Sequence, residues 1–333
     1  MNASMHLRLP AAWMALSIVL LIAFPPVASA LGLDFYIGFM TRLLIFALVA
    51  SSLNFILGFG GMVSLGHAAY FGTGAYVVGI LMFHGLFSAW YSWPLAMLVG
   101  GMLAFLIGAI CLRTRGVYFI MITLAFAQMV YYIFVSLTTY GGDDGLPLPD
   151  RSALPIDLNS DFNFYYVVLT LSVICMYVMY RLINSRFGRV MQAIRENETR
   201  AQAIGYPVYH YKLLAFTIAG AIAALGGALY ANQNYMASPS QLHWMESGTL
   251  IVMVIIGGVG SFFGGAVGAI ALLGLEEILA SYTPHWPFYL GLVLLAVVLF
   301  LPNGLSSLPE TLKKRHLRHF APKKAPAQKG AKP

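Results

Sequence analysis

The stretch RFGRVMQAIRENETRAQAIG, Arg186 to Gly205, is a charged, amphipathic segment set into an apolar chain. Apolar runs at 163–183 and 212–232 flank it. A membrane span needs about 20 mostly apolar residues, so the segment reads as a loop between two spans. Its own pattern is helical. Val190, Ile194, Ala201 and Ile204 fall on roughly helical spacing, and Glu196 stands four residues before Arg200 in the favourable order. Gly205 followed by Pro207 is a helix stop. The residues predict a short, stiffly ended helix. Two readings of it stay open: a helix lying on the membrane surface without a partner, or a grip for a cytoplasmic motor.

The rest of the chain fixes the class. Of 333 residues 59% are hydrophobic and 9% charged, with mean hydropathy +0.78, whereas a soluble domain carries about 25% charged residues. The prediction is an all-α, polytopic helical membrane protein. A β-barrel is disfavoured because the apolar runs are continuous rather than alternating. Ten candidate spans stand at 11–30, 36–57, 62–82, 93–112, 117–138, 163–183, 212–232, 247–259, 264–281 and 286–302, within a range of eight to ten. The 247–259 run is short enough to be broken or re-entrant. Cys111 and Cys175 lie in apolar runs without metal-type spacing, and no metal site is expected.

Basic residues orient the spans. Arg113 and Arg115, the loop 184–211 and the tail from Lys313 to Lys332 are basic and predicted cytoplasmic, which places both termini inside. The loop 139–162 sets Asp143, Asp144, Asp150, Asp157 and Asp161 against Arg151 and suits the outside. The net charge of +7 is therefore an orientation signal and not a nucleic-acid signal. Ala28-Ser29-Ala30 resembles a signal-peptidase site, but a retained first helix is the favoured reading. Residues 1–308 form the predicted membrane domain. Residues 309–333 are expected to be a disordered basic tail, near lipid at most.

Two glycine motifs echo each other. Gly60-Gly61-Met62-Val63-Ser64 and Gly257-Gly258-Val259-Gly260-Ser261 each lie between two spans and start ladders of small residues four apart. The ladders are Gly60, Ser64, Ala68, Gly72 and Gly260, Gly264, Gly268. Such ladders let helices approach closely, and a parallel repeat is one reading of them. Gly60, Gly61, Ser64, His67, Gly72, Gly257, Gly258, Gly260 and Gly264 are the pathway or helix-packing candidates. His67 reads as a packing residue with a backbone partner. Arg42, Glu276 and Glu277 are ionisable groups inside spans, near enough to the outer surface to snorkel or pair. Tyr140-Gly141-Gly142-Asp143-Asp144-Gly145 reads as a turn at a span end, with too few oxygen ligands for calcium. No catalytic constellation is present, and there is no phosphate-binding Gly-Lys-[Ser/Thr] loop, so any nucleotide hydrolysis must belong to another chain.

Several motifs together resemble those of branched-chain amino acid ABC transporter permeases of the LivM type. They are Leu53 to Gly61, Ser64 to Tyr76, Arg113 to Phe119, Ile122 to Phe126, Gly141 to Leu146, Gly188-Arg189, Ala193 to Glu198, Ala201 to Gly205 and Tyr211 to Phe216. The resemblance runs from about residue 36 to 305. It implies an ABC importer permease fold, in a bacterial inner membrane, that is not itself an enzyme. The implied partners are a LivH-type second permease, two ATP-binding subunits and a periplasmic substrate-binding protein, with ATP held by the partners and no cofactor in this chain. Arg195, Glu196, Asn197, Glu198, Arg200, Ala201 and Gly205 would then form the ATPase-coupling helix. The implied cargo is Leu, Ile, Val or a related small amino acid or amide. A secondary carrier or channel for small polar solutes, using Arg42 and the glutamates, is the alternative.

Overall fold

A computed structural model describes residues 11–301 and 304–307. The expected tail at 309–333 lies outside the described residues. Helices α1 (Ala11–Ala30), α2 (Phe35–Asn54), α3 (His67–Phe83), α4 (Ala89–Cys111), α5 (Val117–Ser136) and α6 (Asp161–Asn184) lead to two short helices, α7 (Arg186–Glu196) and α8 (Glu198–Ala203). Then follow α9 (Val208–Asn234), α10 (Trp244–Gly257), α11 (Gly264–Tyr282) and α12 (Trp286–Phe300). Every apolar run read from the sequence contains a helix. Six helices among the described residues are long and apolar enough to cross a membrane: α2 with its π-helical end, α4, α5, α6, α9 and α11. Four shorter apolar helices, in α1, α3, α10 and α12, accompany them.

The core is built on small residues. Lipid tails are as apolar as Leu, so helices in a membrane gain by close packing rather than by leaving water. The α9 sequence AGAIAALGGALYA (219–231) supplies that closeness, and α9 packs along α2, α3 and α4. A methyl group on Gly227 would overlap the Phe71 carbonyl of α3, and one on Gly74 would overlap the Ala224 carbonyl of α9. α10 and α11 form a second tight pair, where a methyl on Gly257 would overlap the Gly264 carbonyl.

α3 begins later than the hydropathy predicts. From Gly61 to Gly66 the chain is irregular, with Met62, Ser64 and Gly66 buried. Unpaired backbone is costly in lipid, so such a segment must be satisfied from within the protein. Leu65 N donates to Thr123 Oγ1 at 3.2 Å, Gly66 N to Ser64 Oγ at 3.1 Å and Ala68 N to Ser247 Oγ at 2.8 Å. The first small-residue ladder is therefore not a helical stripe, since Gly60 and Ser64 precede the helix. Gly260 likewise precedes α11, which carries Gly264 and Gly268.

The end of the bundle with the aspartate-rich loop is closed by a two-stranded antiparallel ribbon, β1 (Leu146–Pro147) on β2 (Met236–Ala237). Arg151 locks this end. Its buried guanidinium donates to Leu158 O at 2.9 Å and Asn232 O at 3.2 Å, pairs with Asp161, and lies 4.4 Å over the Phe164 ring. The Tyr140–Gly145 turn feeds β1 through Gly141, Gly142 and Gly145, all at positive φ.

Candidate functional site

The 186–205 segment is two helices, not one. Ser185 caps α7, its hydroxyl accepting from Gly188 N at 3.4 Å. At Asn197 the backbone turns extended, φ −159 and ψ 100, and its side chain caps α8 by accepting from Arg200 N at 2.8 Å. Glu196 and Arg200 thus fall on opposite sides of a break, and their four-residue spacing carries no helical pair. α8 ends in a Schellman turn: Tyr206 N donates to Ala201 O at 3.1 Å and Gly205 N to Gln202 O at 2.9 Å, with Gly205 at φ 89. Val190, Ile194 and Ala201 are buried as their spacing predicts, but Ile204 is 67% exposed. Ile204 is the C-cap residue beyond the end of α8, where the helical spacing no longer holds.

α7 is tied into the bundle by Arg195. Its Nη1 donates to the carbonyl of Gly58, in the π-helical turn Phe55–Phe59 that ends α2. A cation at a helix C-terminus complements the unsatisfied carbonyls there. The Arg195 stem also covers Gly61, where an added Cβ would sit 3.2 Å from Cγ. Met191 closes over Gly60, its Cε 2.8 Å from where a Cβ would be. A Cβ at Gly60 would also meet the Ile56 carbonyl at 2.7 Å, and one at Gly61 would stand at a positive φ of 69.

The two glycine motifs meet at this point. Asn54, buried at the end of α2, accepts from Gly260 N at 3.2 Å through Oδ1 and donates to Ser261 O at 2.7 Å through Nδ2. A Cβ on Gly58 would sit 2.6 Å from Gly260 N. One junction therefore joins the π turn, the loop between α10 and α11, and Arg195. Glu198 holds α8 from a second direction. Its carboxylate pairs with Lys212 at 2.7 Å and Arg115 at 3.2 Å, tying α8 to α9 and to the α4–α5 link. The arrangement has the makings of a lever: two capped helices, fixed at one end to a buried crossing and pinned at the other by an ion pair.

The family described as branched-chain amino acid transport system, permease component, matches residues 35–302. The chain belongs to that permease family. It is 29% identical over 331 residues to the LivM permease protein of the high-affinity branched-chain amino acid transport system of Escherichia coli, covering 92% of this chain and 76% of that one. The Salmonella typhimurium LivM protein is 29% identical over 326 residues, 90% of this chain and 75% of its own. The autoinducer 2 import system permease LsrC of an Enterobacter species is 28% identical over 284 residues, 79% of each chain. No solved structure matches this chain. The chain is thus a multi-pass membrane transport permease.

The remaining predicted residues of the permease fall in three places. Ser64, His67 and Gly72 line the packed start of α3, and Gly72 accommodates Leu242. His67 is fully buried, and its partner is the Ser52 hydroxyl at 2.8 Å rather than a backbone group. The Ser52 hydroxyl also lies 2.7 Å from Val49 O, which anchors it to its own helix. Gly257, Gly258, Gly260 and Gly264 belong to the α10–α11 turn. Arg42 and Glu276 approach to 3.8 Å, while Glu277 has no ion pair among the described residues. Sequence reasoning missed Asn54, Met191, Lys212 and Glu246 as contributors. Asn54 and Glu246 could have been found as polar groups inside apolar stretches, which need a partner or a water-filled cavity.

Proposed function

We propose that this permease is one membrane subunit of an ATP-driven importer of branched-chain or related small amino acids in a bacterial inner membrane. The observation that carries the reading is the capped α7–α8 element tied through Arg195 to the glycine crossing. A rigid element can transmit a displacement that a flexible loop would absorb. The basic end, with Arg113, Arg115 and α7–α8, faces the cytoplasm, and both termini lie on that side. The exposed edge Glu196, Arg200 and Ile204 seats on one of two ATP-binding subunits. A second permease and a periplasmic binding protein complete the assembly, and ATP binds the partners, not this chain. Movement of α7 pulls on Gly58 and the glycine crossing, and so on the α10–α11 pair. LivM relatives, named for branched-chain amino acids, support the cargo.

Uptake of labelled L-leucine into membrane vesicles, with and without ATP and the partner subunits, tests this. Accumulation that requires both is the expected result. Transport by this chain alone overturns the reading in favour of a secondary carrier.

A further inference from the structure

Away from the basic-end junction, the bundle holds a second polar locus. Arg42, two turns into α2, lies 3.8 Å from Glu276 of α11, both side chains half-buried. Glu246, in the first turn of α10, is within electrostatic reach of both. The locus thus holds one basic and two acidic groups. An ionised side chain at the centre of a membrane helix costs about 2.5–3.5 kcal/mol, so such groups face a partner or a water-filled cavity.

Glu246 faces a cavity. It measures about 190 Å³ and is walled by Phe46, Phe71 and Tyr230 on the apolar side and by Asn234, Gln241 and Glu246 on the polar side. Gln241 is 6% exposed, and its buried Oε1 has no hydrogen-bond partner. A void left by imperfect packing would be apolar; this one sets an aromatic wall against the Glu246 carboxyl and the Asn234 amide. Drug-sized ligands occupy roughly 300–1,000 Å³, so this volume suits something smaller.

We propose that the cavity between α2, α3, α9 and α10 is a transit site for an aliphatic α-amino acid. The Glu246 carboxylate accepts the ammonium, the three aromatic rings flank the side chain, and Arg42, beside Phe46, supplies the positive charge near the bound carboxylate. The inference rests on the importer reading above and adds where in this chain the cargo pauses.

The test places a thiol at the cavity by Ser240→Cys; Ser240 is exposed and lines it, and the native Cys111 and Cys175 are buried. Vesicles carrying the whole transport system are treated with a hydrophilic maleimide. L-leucine should slow labelling several-fold, whereas 4-methyl-2-oxopentanoate, which has the same side chain and no ammonium, should not. Adding Glu246→Gln should raise the leucine concentration needed by about tenfold or more, the size expected of a lost charged hydrogen bond. Equal protection by the keto acid, or no change with Glu246→Gln, overturns the site. ATP-driven leucine uptake is measured on the same vesicles. Uptake without protection overturns the cavity alone, and protection without ATP-driven uptake supports the site while counting against the importer reading.

Discussion

Gly257 and Gly274 lie in the α10–α11 pair and differ only in what surrounds them. A Cβ at Gly257 would overlap the Gly264 carbonyl, and one at Gly274 would meet nothing within 4 Å. Gly257→Ala should therefore force two helices apart and cost about 1–3 kcal/mol or more, as overpacking does. Gly274→Ala should be neutral or stabilising by about 0.4–1 kcal/mol, because it restricts the unfolded chain. Thermal unfolding of the two purified variants in detergent checks this, and equal midpoints would contradict the packing argument. Residue types signalled close approach here, but not the partner of each glycine. His67 shows the same limit: burial was legible, while the Ser52 partner required two helices to be in register.

At the element scale, α7 and α8 show how local chemistry sets rigidity. Asn197→Ala removes the cap on Arg200 N and should cost about 1 kcal/mol. Gly205→Ala meets no obstacle, but it forces a left-handed backbone on a residue with a Cβ, at about 1–2 kcal/mol. Both should speed amide hydrogen exchange in α8 while leaving that of α9 unchanged. Protection retained at Ala201 to Gly205 in both variants would show that α8 is held by packing alone. The helix stop at Gly205 was legible because positive φ selects glycine. The break at Asn197 was not, because Asn is tolerated in a helix and its capping role depends on the backbone turning there.

Across the whole molecule, Asn54 joins the first third of the chain to the last. Removing its side chain by Asn54→Ala leaves Gly260 N without its partner and Ser261 O with Gly264 N alone. Each unsatisfied buried group costs about 1–3 kcal/mol. The variant should insert with all spans but unfold at lower temperature, and proteolysis should cut faster in the 258–263 loop. Wild-type stability and cleavage would mean that the crossing is held by glycine packing without the asparagine.

The sequence by itself determined the class, the ten apolar helices, the basic end and the capped segment between α6 and α9. These follow from composition, hydropathy and residue-level backbone preference, which act within a few turns of chain. The tertiary structure decided that residues 61–66 enter the bundle without helix, that both glycine motifs share one junction with Arg195, and that Glu246 faces a cavity. Those outcomes depend on which carbonyl, ring or amide arrives from residues up to 207 positions away. No local pattern encodes that arrival, because small residues permit many close crossings and only the assembled packing selects one.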